Sequence, residues 1–134
     1  MTTISIKKSK SQLLIKIGNH QYYFAEDDLD PKGNNKLTDL INLAVKGTLK
    51  YQKLWVNIED PDVQNDPTAG NFIKETLIML GKTLSSYSPA IRELGFNGVS
   101  TDNEVLLCNH LRNIKLTIIS RNLYDYNDFH EAPI

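Results

Sequence analysis

The sequence predicts a single α+β domain, an antiparallel sheet of about four to six strands with about three to four helices packed on one of its faces. Three observations point there. The first quarter of the chain alternates apolar and polar residues with the period of a strand. Two later stretches, from Lys36 and from Asp66, change to helical spacing. The length, 134 residues with 40% hydrophobic and 23% charged content, is that of one soluble domain with one core.

Ile4 and Ile6 alternate with polar neighbours, as do Leu13, Ile15 and Ile17, and the polar stretch Lys8-Ser9-Lys10-Ser11 between them reads as a turn. Gly18-Asn19 then separates the second run from His20 to Ala25, and glycine there supplies the positive φ of a tight hairpin loop. The beginning of the chain is expected to be a three-stranded antiparallel meander. A polar loop with Pro31 and Gly33 follows, from Glu26 to Asn35. Leu37, Leu40, Ile41, Ala44, Val45 and Leu49 mark one face of a first helix, whose last turn Gly47 weakens by about 1 kcal/mol relative to alanine. Leu54, Val56 and Ile58 predict a fourth strand, ended by Asp60-Pro61.

Asp66-Pro67 supplies an N-cap and a proline at the first helical position of a second helix, with Phe72, Ile73, Leu77, Leu80 and Leu84 as its apolar stripe. Ser88-Pro89 is read as restarting a short third helix that Gly95 closes. Thr101-Asp102-Asn103-Glu104 matches a capping box and predicts a fourth helix to about Arg112, although Glu104 to His110 also reads as a strand. Ile114, Leu116, Ile118 and Ile119 are strand-like, and residues 122–134 form a polar, aromatic and acidic tail. No repeat or linker divides the chain, so residues 1–134 are one domain.

Composition narrows the setting. No apolar run approaches the roughly 18–20 residues that span a bilayer, and the polar start MTTISIKKSKSQ carries no signal-peptide core. A single cysteine, Cys108, rules out an internal disulfide framework. The expectation is a soluble, cytoplasmic protein with no membrane partner.

Catalytic and metal signatures are weak. Asp28, Asp30, Lys32, Gly33 and Asp39 echo a calcium loop, but Lys32 puts a cation where an oxygen ligand belongs. His20, His110, His130 and Cys108 lack the paired spacing of a zinc site. Ser100 or Cys108 with His110 and Asp102 supplies triad residue types without a nucleophile elbow or phosphate loop around them. No cofactor, metal or catalytic residue is therefore assigned. Residues Pro89 to Arg112 loosely suggest a helix-turn-helix, but the second helix begins with Asp102 and Glu104 and offers no basic face for phosphates, which argues against nucleic acid. Lys7, Lys8, Lys10 and Lys16 are read as charges that protect an edge strand.

The charge pattern is the most specific signal. Net charge is only −1, yet eleven of the sixteen acidic residues fall in three clusters without lysine or arginine. These are Glu26, Asp27, Asp28 and Asp30; Glu59, Asp60, Asp62 and Asp66; and Asp125, Asp128 and Glu131. Aromatic residues accompany each: Tyr22 and Tyr23, then Trp55, then Tyr124, Tyr126 and Phe129. Carboxylates steer a basic partner and tyrosines anchor it, so the candidate partner-binding residues are Glu26, Asp27, Asp28 and Asp30, then Glu59, Asp60 and Asp62, then Tyr124, Asp125, Tyr126, Asp128 and Phe129. A small enzyme or ligand-binding domain with a site between sheet and helices stays open, as does a nucleic-acid-binding regulator.

In overall character the chain resembles the small bacterial immunity proteins paired with toxins of contact-dependent growth inhibition. The likeness rests on Glu26–Asp30, Glu59–Asp66 and Tyr124–Glu131 set on a one-domain α+β frame. It is a likeness of type over the whole chain and carries over no functional residue by motif. It implies a non-enzymatic inhibitor that neutralises a cognate toxin, often a nuclease whose basic active site accepts an acidic plug.

Overall fold

The computed structural model describes residues 2–87, 91–112 and 115–121. Six strands form one sheet: β1 (Thr2–Ser9), β2 (Gln12–Ile17), β3 (His20–Ala25), β4 (Lys53–Ile58), β5 (Glu93–Asn97) and β6 (Thr117–Arg121). Three α-helices accompany them: α1 (Asn35–Tyr51), α2 (Pro67–Ser85) and α3 (Thr101–Cys108). The α+β architecture is the one read from the sequence, and its strand order is β3-β2-β1-β4-β5-β6.

The turn chemistry works as expected in the meander. Gly18 adopts φ +59°, and Ser9 pairs with Gln12 across a two-residue turn in which Lys10 adopts φ 56°. The pairing directions correct the sequence reading. Only β2 runs against its neighbours; β1/β4, β4/β5 and β5/β6 are parallel, so the sheet is mixed. The cause is connectivity. Hairpins reverse the chain, whereas α2 and α3 each carry it back to the end where the next strand starts, and apolar periodicity records neither choice.

The third helix expected around Pro89 to Gly95 is a second correction. Residues 88–90 lie outside the described set, and Glu93–Asn97 is the strand β5. Leu94 and Phe96 are buried on the helix side and Gly95 under the Trp55 ring, a continuous buried run so short that its period cannot be read. Gly95 does not close a helix. Any side chain there would run into the Trp55 ring, which lies across it. The helix-turn-helix suggested for this region is lost with it.

Residues 101–108 are helical, which decides between the two readings of Glu104 to His110, and a 3-10 turn, Asn109–Leu111, continues the helix. Its cap sits one residue earlier than the capping-box pattern suggested. The Ser100 hydroxyl accepts the Asn103 N–H at 3.3 Å, and Glu104 instead accepts a hydrogen bond from the Ser120 hydroxyl at 2.6 Å. At α2 the predicted cap is present: Asp66 Oδ1 accepts the N–H groups of Thr68 and Ala69, each at 2.9 Å. Gly47 does not fray α1, which continues to Tyr51, where Gln52 closes it in a left-handed conformation (φ 62°). The glycine lets α1 approach β1, because a side chain would meet Thr2.

Strand register puts Ile4 and Ile6, Leu13, Ile15 and Ile17, Phe24, Leu54, Val56 and Ile58, and Leu94 and Phe96 on one face. These residues share a core with apolar residues of all three helices, and Phe24 meets Phe72 at 4.8 Å between ring centroids. The helices therefore cover one face of the sheet. Among the described residues no helix is long and apolar enough to cross a membrane.

The parallel directions have a further consequence. β1, β3, β4, β5 and β6 all end on the same edge of the sheet, called the upper edge below. The loops after β3 and after β4, which hold two of the acidic clusters, must leave from that edge.

Candidate functional site

The first cluster begins in a 3-10 turn, Glu26–Asp28, directly after β3. Its loop is built rather than slack. Asn34 donates from Nδ2 to the carbonyls of Asp28 (2.8 Å) and Asp30 (3.3 Å), while its Oδ1 accepts the Leu37 N–H and caps α1. Asp30 Oδ1 accepts the Lys32 N–H at 3.0 Å. Lys36 donates to Asp28 Oδ2 at 3.2 Å and to the Tyr23 carbonyl at 2.9 Å. An ammonium thus occupies the Asp28 carboxylate of the loop that echoed a calcium site. Glu26, Asp27 and Asp30 are exposed and have no ion pair among the described residues.

The second cluster follows β4. The Glu59 N–H donates to the Ile6 carbonyl at 2.9 Å, so this residue still belongs to the sheet. Asp60 precedes a 3-10 turn, Pro61–Asn65, and Asp66 starts α2. The two backbone N–H groups at its cap, helped by Lys8, hold the Asp66 carboxyl below the usual aspartate range. Asp60 and Asp62 are exposed.

One acid of each cluster, Glu26 and Asp66, lines a shared cleft of about 240 Å³, together with Leu29, Ala69, Lys8 and Lys10. Lys8 reaches Asp66 at 3.9 Å and Lys7 reaches Glu59 at 3.8 Å. The acids are segregated along the chain, but in space the tip of the β1–β2 hairpin inserts lysines among them. This revises the reading of those lysines as edge protection, because β1 lies inside the sheet, between β2 and β4.

One residue essential to this arrangement escaped the sequence reading. Gln64, 7% exposed, donates from Nε2 to the carbonyls of Pro61 (2.8 Å) and Gly98 (3.0 Å). Its Oε1 accepts the Ser100 N–H and the Asn103 Nδ2, each at 2.8 Å. All four hydrogen-bonding positions of the amide are used, so the turn bearing Asp60 and Asp62 is latched to the start of α3. A glutamine in an acidic loop gives no sign in sequence that it is buried.

The aromatic companions divide. Tyr22 is half-buried against the core, and Tyr23 lies on the face of the sheet that no described helix covers, its hydroxyl donating to Gln21 Oε1 at 3.0 Å. Trp55 lies on that same face, opposite the core residues Leu54 and Val56 of its own strand. Its Nε1 donates to Glu93 at 3.0 Å, and the Arg121 guanidinium stands 5.2 Å above its ring. Tyr124, Asp125, Tyr126, Asp128, Phe129 and Glu131 lie outside the described residues. β6, which precedes them, ends at the upper edge, where the Arg121 carbonyl accepts the Gly98 N–H at 3.1 Å.

The triad residue types are not assembled. Ser100 caps the start of α3, whereas His110 lies beyond its end, against Gly81 of α2. Cys108 is half-buried against the core, and burial, with Glu104 nearby, pushes its thiol pKa up, the opposite of nucleophile activation. Among the described residues no three His, Cys, Asp or Glu side chains converge as metal ligands. Comparison with protein-family models, curated proteins and solved structures finds no match to this chain.

Proposed function

We propose that this chain is a protein-binding inhibitor of the toxin–immunity kind, acting in the cytoplasm without catalysis, and that its upper edge receives a basic partner protein. The observation that carries the reading is that Glu26–Asp30 and Glu59–Asp66, some thirty residues apart in sequence, leave the same edge of the sheet, with Glu26 and Asp66 lining one cleft there. Glu26, Asp27, Asp30, Asp60 and Asp62 point their charge at solvent from turns that Asn34 and Gln64 hold in place. Fixed carboxylates of this kind accelerate encounter with a cation-rich surface and disfavour acidic partners. The proposal also includes Tyr124, Asp125, Tyr126, Asp128 and Phe129, which lie outside the described residues, the tyrosines as anchors and the acids as steering charges.

Association kinetics with a purified partner test the reading. Glu26→Lys with Asp60→Lys should slow association and flatten its dependence on ionic strength, with a smaller effect on dissociation. A partner toxin should lose activity when this chain is added in equimolar amount. Unchanged kinetics in the charge-reversed variant would remove the upper edge from the proposal.

A further inference from the structure

At the opposite, lower edge of the sheet lies a cavity of about 620 Å³, between the end of α1 and the starts of β1 and β3. That volume is within the roughly 300–1,000 Å³ of small-molecule sites. Ile17, Leu43 and the Tyr51 ring give it apolar walls, and Lys46, Lys50 and His20 stand around it, with no carboxylate among the described residues of the lining. Lys50 lies 5.3 Å from the Tyr51 ring centroid, so one cation is already held over an aromatic wall. All three ion pairs of the described residues belong to the upper edge, which leaves Lys46 and Lys50 without a carboxylate partner among them.

The surroundings reinforce the sign of the charge. Lys53, Arg92 and Lys115 lie on the same edge, where the Arg92 carbonyl accepts the Thr117 N–H and Lys53 pairs in register with Glu93. Glu93 is engaged by the Trp55 indole. Cations are favoured here because α1 and α2 end at this edge, and a helix C-terminus carries partial negative charge. That explains the lysines, but not an apolar-walled cavity beneath two of them.

We infer that this cavity binds a small organic anion, with its hydrocarbon or aromatic body against Ile17, Leu43 and Tyr51 and its carboxylate or phosphate at Lys46 and Lys50. The inference goes beyond the protein-binding reading and does not depend on it.

Octanoate, with octanol as its uncharged counterpart, is a suitable probe in an amide NMR titration of the whole chain. Saturable one-to-one binding of octanoate is expected, with shifts concentrated at Gly18, Leu43, Gly47 and Tyr51. Octanol should bind at least about tenfold more weakly, because it lacks the charge that faces the lysines. Lys46→Glu with Lys50→Glu should weaken octanoate by a similar factor. Lys53→Glu, on the same edge but outside the cavity lining, should change it less than about twofold; it separates a local site from a general basic field. Circular dichroism confirms that each variant is folded. Equal binding of octanol, an equal loss in Lys53→Glu, or shifts scattered away from the cavity would overturn the inference. So would binding of a short RNA or DNA duplex through these lysines when octanoate does not bind, which would make the edge a polyanion surface.

Discussion

Trp55 and Gly95 show how a single missing side chain shapes one face of the sheet. The indole lies across the glycine in the neighbouring strand, with Glu93 on its N–H and Arg121 over its ring. Gly95→Ala should cost about 1–3 kcal/mol, because the new methyl group has no room beneath the ring. In Trp55→Ala the same change should cost less, and urea unfolding of the two single variants and the double variant measures that coupling. Equal cost in both backgrounds would mean that the contact is not what makes Gly95 necessary. Asp66 gives a pH signature. Its folded-state pKa is depressed, so the stability it adds is fully present above the ordinary aspartate value of about 3.9 and is lost as pH falls through the lower folded value. The melting-temperature advantage of the native chain over Asp66→Asn should be constant near neutrality and shrink below about pH 4; a constant difference down to pH 2 would contradict it. Cys108, with its pKa raised by burial first and Glu104 second, should react with iodoacetamide at pH 8 more slowly than free cysteine.

At the scale of elements, Gln64 joins two segments that sequence places far apart. Gln64→Ala leaves two carbonyls, the Ser100 N–H and the Asn103 amide short of a partner, and should cost about 1–3 kcal/mol. Hydrogen exchange should quicken in residues 61–66 and 98–103 before it does in β1 or α1; uniform acceleration would mean that the amide supports the core at large rather than this latch. The elements differ in how far sequence reveals them. The hairpins and α1 and α2 are legible because turn residues, caps and long apolar stripes act within a few residues of each other. β5 is not, because Leu94-Gly95-Phe96 is buried by strands and helices distant in the chain. The α3 cap falls on Ser100 rather than Thr101, and Glu104 accepts from Ser120 of β6, a contact distant in the chain that a local pattern does not record.

At the scale of the molecule, parallel strands joined by helices sort the charge. Each helix begins near the upper edge and returns near the lower one, so the acids of helix-entry loops gather at one end and the lysines of helix exits at the other. This follows the helix dipoles and stabilises the fold while it forms two surfaces of opposite character. The acid clusters were visible in sequence, but Lys7 and Lys8 among them were not, because the hairpin that carries them precedes both clusters and only the β1/β4 pairing brings it between. The lower edge was invisible because Lys46, Lys50, Lys53, Arg92 and Lys115 are isolated charges in sequence.

On the proposed reading the upper edge, and not the lower one, holds the partner. The direct measurement is parallel affinity capture from lysate of the source cells, at low and then moderate ionic strength, with three immobilised proteins. These are the native chain, a variant carrying Glu26→Lys, Asp27→Lys, Asp60→Lys and Asp62→Lys, and the lower-edge variant Lys53→Glu. One basic protein should be held in equimolar amount by the native chain and by Lys53→Glu, and lost from the upper-edge variant. The same protein held equally by all three would contradict it.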